Sequence, residues 1–333
     1  MARLVDFGPN PGDLEGWFYV PASIKPNAAL VVVLHGCTQT AAAYDRGAAW
    51  TKAADDHGFI LLFPEQQRAN NPNLCFNWFS PRDARRGRGE AASIAEMIQS
   101  VTNRFDVDEK QIFVTGLSAG GAMAAVMLAA YPDTFAGGAV IAGLPYATAN
   151  NVPQALERMR GQDVPDAGKL GQIVRSASQH EGPWPTLSVW HGTQDATVDR
   201  SNARAIVDQW RALHAAPGDP QRSDMVNGHV HHVWQDAHGR DVIEEYQIAG
   251  LGHGTPLSTR HSGSGEMAGP HMLEAGISST THILQFWKIA TDEAVSPDRT
   301  APLPETDSRK TGPVPNDIKR TIEQALQAAG LLR

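Results

Sequence analysis

Val114-Thr115-Gly116-Leu117-Ser118-Ala119-Gly120-Gly121 centres Ser118 in a Gly-x-Ser-x-Gly pentapeptide. The apolar residues Ile112, Phe113 and Val114 before it predict a short buried strand, and the Ala- and Met-rich run Ala119 to Ala130 after it predicts a helix. Strand, sharp turn and helix in that order make a nucleophile elbow, which lifts a serine hydroxyl out of the backbone into a cleft. Gly116 and Gly120 remove the side chains that would collide at such a turn.

A serine hydroxyl is a weak nucleophile near neutral pH, so this reading needs a histidine base and a carboxylate to orient it. The strand-like run Thr186 to Trp190 leads into His191-Gly192-Thr193-Gln194-Asp195, placing Asp195 just past a strand's carboxyl end, where open α/β sheets bind ligands. A second run, Val242 to Ile248, leads into Ala249-Gly250-Leu251-Gly252-His253-Gly254, whose glycines let the loop carry His253 into the cleft. The chain order Ser118, Asp195, His253 is that of α/β hydrolases. Asp199 is the competing carboxylate, although its position favours an N-cap of the next helix. His191 reads as a structural member of its loop, with His261 and His271 as fallback bases. His229 and His231 share one face of a predicted strand, which invites a metal reading. Nothing nearby completes a ligand spacing, so no metal and no cofactor are expected.

Leu30 to Leu34 is a valine-rich strand that ends in His35-Gly36-Cys37-Thr38. The main-chain amides of Cys37 and Ala119 are the candidate oxyanion donors, with Thr38 and Gln39 as alternatives.

The runs Leu34-His35-Gly36-Cys37-Thr38-Gln39-Thr40, Cys75-Phe76-Asn77-Trp78-Phe79, Gly116 to Gly121 and His191 to Val198 together resemble the polyhydroxybutyrate depolymerase-like esterases, relatives of feruloyl and acetylxylan esterases. The resemblance spans roughly Leu4 to Ile289. It implies an α/β-hydrolase fold, a Ser118, Asp195 and His253 triad, and cofactor-free hydrolysis of carboxylic esters. It also implies that Cys37 and Cys75, the only two cysteines, form a disulfide. The sequence His253-Gly254-Thr255-Pro256-Leu257 departs from many relatives, which carry an aromatic residue and Trp-Pro after that histidine.

The expected substrates are short-chain hydroxyalkanoate esters or oligomers, with feruloyl or acetylxylan esters of plant polysaccharide as the alternative. A noncatalytic α/β-hydrolase binding module is the reading from another class, and the complete triad argues against it. Trp78 and Trp184 are candidate walls of the substrate pocket.

A chain of 333 residues with 41% hydrophobic content can bury a large core. Alternating strand-like and helix-like segments predict a mostly parallel sheet flanked by helices. Strands are expected near Leu14 to Val20, Leu30 to Leu34, Phe59 to Phe63, Gly137 to Ile141 and Thr186 to Trp190, with a hairpin from His229 to Ile248. Helices are expected near Ala42 to Asp56, Ala91 to Phe105, Asn202 to His214 and Met272 to Lys288. One catalytic domain, residues 1–290, carries a small lid at 145–185. A Pro-rich linker follows at 291–315, and residues 316–333 form an amphipathic helix that docks on its own domain or on a second subunit as a homodimer.

The net charge of -8 argues against nonspecific nucleic-acid binding. One basic cluster, Arg82, Arg85, Arg86 and Arg88, stands out as a solvated loop or as a rim that attracts carboxylate-bearing substrates. No stretch suggests a membrane span. No signal peptide is evident, so the protein is expected to be secreted or periplasmic where the disulfide forms and cytoplasmic where the native chain lacks a leader.

Overall fold

Every side chain from Leu30 to Leu34 is buried, and the run divides between two cores: Leu30, Val32 and Leu34 face one, Val31 and Val33 the other. The two-residue period of a strand forces this split, and a strand apolar on both sides is the mark of a sheet covered by helices on both faces.

The computed structural model describes residues 1–261 and 263–290. In chain order these form β1 (Ala2–Arg3), β2 (Glu15–Tyr19), β3 (Ala28–Leu34), α1 (Ala41–Ala48), α2 (Trp50–His57), β4 (Ile60–Glu65) and α3 (Gly89–Arg104). Then come β5 (Val107–Leu117), α4 (Ala119–Ala130), β6 (Gly137–Ile141), α5 (Val152–Met159), α6 (Ala167–Arg175), β7 (Thr186–Gly192) and α7 (Ser201–Arg211). The remainder is β8 (Arg222–Val226), β9 (His229–Gln235), β10 (Asp241–Ile248), β11 (Thr255–Leu257), β12 (Met272–Glu274) and α8 (Ser279–Phe286).

Ten strands make one sheet in the order β1-β2-β4-β3-β5-β6-β7-β10-β9-β8. The six from β4 to β10 run parallel, and antiparallel strands close both edges. One core joins the sheet to α3, α4 and α7, and the other joins it to α1, α2 and α8. From β3 the chain steps first to β4 on one side and then back to β5 on the other. The crevice beyond the carboxyl ends of β3 and β5 is therefore the topological switch point at which such sheets bind ligands.

Two expectations need correction. The helix predicted from Ala42 to Asp56 is two helices, broken at Ala49, which adopts a left-handed conformation at φ 55°. The cause is the buried Asp45 carboxylate, which accepts hydrogen bonds from the amide (2.8 Å) and hydroxyl (3.1 Å) of Thr51 and so caps the start of α2. The helix predicted from Met272 to Lys288 begins only at Ser279. Met272–Glu274 instead pairs in parallel with Thr255–Leu257, and Gly276 (φ 72°) and the N-cap Ser278 turn the chain into α8.

The 145–185 segment contains α5 and α6, and α6 packs on α4 and α7. The linker at 291–315 and the helix at 316–333 lie outside the described residues. No helix among the described residues is long and apolar enough to cross a membrane.

Candidate active site

Ser118 sits between β5 and α4 with φ 55° and ψ -116°, a strained conformation for a residue with a side chain. Its amide donates to the Ile141 carbonyl at 2.9 Å, tying the turn to the end of β6. A Cβ on Gly116 would lie 2.4 Å from the backbone of Gly120, and one on Gly120 would lie 2.3 Å from the Leu34 carbonyl oxygen. Both glycines are thus required by close backbone approach.

Asp195 lies in the loop after β7, and His253 in the loop between β10 and β11. The two loops are stitched together. Thr193 and Gln194 donate through their amides to the carbonyls of Ile248 (3.0 Å) and Leu251 (2.9 Å), and the Gly250 amide donates to the Thr193 hydroxyl at 2.9 Å. Gly192 permits this contact, since a Cβ there would meet the Leu251 carbonyl oxygen at 2.3 Å.

His253 Nε2 is 2.9 Å from Ser118 Oγ, and His253 Nδ1 is 2.7 Å from Asp195 Oδ2. The other Asp195 oxygen accepts from the amides of Thr197 (2.8 Å) and Val198 (2.9 Å). Burial alone would raise this carboxyl's pKa, but the hydrogen bond from His253, the nearby imidazoles and the Val198 amide hold it below the usual carboxylate range. Asp199 instead accepts from the Ser201 amide at the start of α7. His191 Nε2 donates to the Val198 carbonyl (2.9 Å) within the loop that carries Asp195. His271 Nδ1 lies 3.2 Å from the His253 carbonyl and braces the loop that carries His253. His229 Nε2 meets the Ala275 carbonyl at 2.8 Å, and His231 Nε2 pairs with Glu244 at 2.9 Å. No metal-holding cluster occurs among the described residues.

The alternatives left open for the oxyanion donors are separated by their hydrogen bonds. The Thr38 amide donates to Asn73 (2.6 Å), the Gln39 amide to Gly36 (3.3 Å), and the Gly36 amide to the Gln39 side chain (2.8 Å). The amides of Cys37 and Ala119 have no acceptor among the described residues.

Cys37 is disulfide-bonded to Cys75, 38 residues along the chain. By the chain-entropy argument, replacing both cysteines with alanine lowers the unfolding free energy by about 3 to 4 kcal/mol. Guanidinium melts of the two proteins measure this.

His35 is a feature that sequence reasoning missed. Its Nε2 accepts from the Gln66 amide (3.1 Å), which places the ring proton on Nδ1, 2.8 Å from the Gly36 carbonyl. That carbonyl belongs to the same peptide plane as the Cys37 N–H. Burial pushes the imidazole down to about 4, partly offset by the bond to Gly36, so the ring is neutral at physiological pH. Gln66 in turn meets Glu90, a carboxylate only 1% exposed that also accepts from the amide (2.7 Å) and side chain (2.6 Å) of Asn77. Burial pushes Glu90 up to about 8 against these donors, which favour its ionised form. No local pattern marks these residues, because their partners are 13 to 31 positions away.

Trp78 is buried in the core beside Phe79, edge to face at 5.6 Å, and Trp184 is partly buried with its edge to His180 at 5.0 Å. Neither makes a hydrogen bond or ring contact with Ser118, Asp195 or His253.

The family model for esterase PHB depolymerase matches residues 16–217, which include Ser118 and Asp195. The chain is 42% identical over 293 residues to poly(3-hydroxyalkanoate) depolymerase C of Paucimonas lemoignei, covering 87% of this chain and 70% of that one. The chain belongs to the esterase PHB depolymerase family. Acetylxylan esterase A of Emericella nidulans is 31% identical over 245 residues, covering 70% of this family member and 80% of the relative. The acetyl xylan esterase structure from Aspergillus awamori superposes with a TM-score of 0.73 at 22% identity, over 86% of this chain and 98% of the other, and shares the α/β-hydrolase fold. This member of the esterase PHB depolymerase family is a hydrolase of carboxylic ester bonds.

Proposed function

We propose that this esterase cleaves short-chain hydroxyalkanoate esters or oligomers through an acyl-enzyme on Ser118. The observation that carries the chemistry is the continuous hydrogen-bond chain from Ser118 Oγ through His253 to the buried Asp195 carboxylate. His253 Nε2 takes the hydroxyl proton as Oγ attacks the ester carbonyl, and the negative oxygen is held by the amides of Cys37 and Ala119. The imidazolium then gives its proton to the leaving alcohol. Water enters, loses a proton to the same histidine and releases the acid, returning the proton to Ser118. Asp195 fixes the ring and stabilises its cationic form.

The relation to a poly(3-hydroxyalkanoate) depolymerase supports the hydroxyalkanoate substrate. The relation to an acetylxylan esterase supports a second reading, deacylation of plant polysaccharide. Trp78 and Trp184 are proposed as walls of the substrate pocket, and residues 145–185 as a small lid over it. Hydrolysis of hydroxybutyrate oligomers, methyl ferulate and acetylated xylan, measured side by side, tests the substrate class. The highest kcat/KM is expected on the oligomers, and a higher value on either plant ester would reverse the order.

His35 should matter to rate more than to binding. His35→Leu removes the shorter of two hydrogen bonds on the Gly36 carbonyl and leaves only the long one from the Gln39 amide (3.3 Å), which loosens the Gly36–Cys37 peptide, and kcat on an activated butyrate ester is expected to fall about 10- to 100-fold, below the loss of a whole oxyanion donor. KM should change little. Steady-state kinetics, with circular dichroism to verify folding, measure the split.

A further inference from the structure

The arginines of residues 82–88 are all solvent-exposed, and three of them also border a cavity. Arg85, Arg86 and Arg88 line a cavity of about 360 Å³ together with Tyr146, Ile173 and Ser176. Arg86 is committed: it forms a bidentate pair with Asp133 (2.5 and 2.8 Å) and also donates to the Ala130 carbonyl (3.1 Å). Arg85 and Arg88 have no acidic partner among the described residues, and no carboxylate lines the cavity. In a protein of net charge -8, two unpaired guanidinium groups at a cavity that also offers two hydroxyls and an apolar wall form a local field of opposite sign. That combination suits a carboxylate joined to a short apolar chain.

The position links the cavity to the triad. Arg86 binds the carbonyl end of α4, whereas Ser118 stands at its amino end, so the two lie about one helix length apart, on the order of 18 Å for twelve residues. Each wall is continuous in sequence with a segment fixed at the reacting centre. The arginine loop follows Cys75, which is bonded to Cys37, and Tyr146 follows Ile141, whose carbonyl receives the Ser118 amide.

We propose that Arg85 and Arg88 form a subsite for the free carboxylate terminus of a hydroxyacid oligomer whose ester bond, several repeat units away, lies at Ser118. This rests on the substrate reading above and deepens it, from an ester of hydroxyacids to one held by its acid end. Cleavage of any such oligomer leaves a new carboxylate terminus on its acyl fragment, so the ligand is generated by the reaction itself.

The test compares hydroxybutyrate oligomers as free acids and as methyl esters. Binding to Ser118→Ala is measured by calorimetry, and hydrolysis is measured with the wild-type enzyme and with Arg85→Gln/Arg88→Gln. The free acid is expected to bind at least five-fold more tightly than its methyl ester, and the preference should vanish in Ser118→Ala/Arg85→Gln/Arg88→Gln and fade with added salt. In hydrolysis, the preference should appear as a lower KM, while turnover of p-nitrophenyl butyrate, too short to reach the cavity, stays unchanged in the arginine variant. Equal binding of acid and ester, no detectable binding of either, or a preference that survives the double substitution would overturn the subsite. Displacement of the oligomer by an equal concentration of inorganic phosphate would show a general anion site and overturn it as well. Failure of the wild-type enzyme to cleave either oligomer while it still cleaves p-nitrophenyl butyrate would instead sink the substrate reading, and the calorimetry would still decide the subsite.

Discussion

Ser118→Ala is expected to lower kcat on an activated short-chain ester by roughly 10⁵- to 10⁶-fold, because nucleophile, base and acid act as one unit. Removing His253 as well should then cost little more. What activity remains comes from amides that still hold the oxyanion. The backbone at 118 makes a second, separable forecast. Alanine keeps the Cβ that a φ of 55° disfavours, so Ser118→Ala should melt near the wild-type temperature. Ser118→Gly removes that Cβ and relieves the strain, and is expected to be about 1 kcal/mol more stable while equally inactive. Active-site kinetics together with denaturant melts of both variants measure the two effects. Substantial turnover by either would remove Ser118 from its role.

Asp195→Asn should lower kcat by about 10⁴-fold while leaving the fold in place. The argument follows from which oxygen meets which donor. Oδ1 accepts two backbone amides, from Thr197 and Val198, and cannot be exchanged for an NH₂ group without setting donors against donors. The asparagine oxygen must therefore stay there, which turns its NH₂ towards His253 Nδ1 in place of Oδ2. Nδ1 is then forced to accept, the ring proton moves to Nε2, and the nitrogen 2.9 Å from Ser118 Oγ can no longer take a proton. KM should be nearly unchanged, since the substituted group does not reach the substrate. Rates of acyl-enzyme formation from rapid-mixing experiments would show the defect in the first chemical step. A loss of less than about ten-fold would mean that another group orients the base.

The parts of this molecule legible in sequence are those encoded over short distances. The bounds of α4 and β6, Ala119–Ala130 and Gly137–Ile141, are legible to the residue, because composition and period specify them without help from the rest of the chain. The meeting of Ser118, Asp195 and His253 could be anticipated for a related reason: each follows a recognisable strand, and loops at one end of a parallel sheet converge. What escaped depends on tertiary partners. The break at Ala49 is made by Asp45 capping Thr51, and Gly47 packs so closely on Met272 that a Cβ would lie 2.5 Å from its side chain. Nothing near Met272 announces its pairing with Thr255, since a three-residue strand carries too little period to detect. Glu90 sits in an ordinary amphipathic helix, and only the folded chain brings Gln66 and Asn77 onto its carboxylate.

The backbone stitches between the loops after β7 and β10 have a practical bearing on redesign. Asp195 and His253, the proposed acid and base, are borne on what amounts to a single cassette, so an attempt to widen the cleft by grafting one of these loops from a relative would misalign its partner. Moved together, with Gly192 retained, the pair keeps its internal alignment wherever it is set, and the only joint left to tune is its distance from the serine.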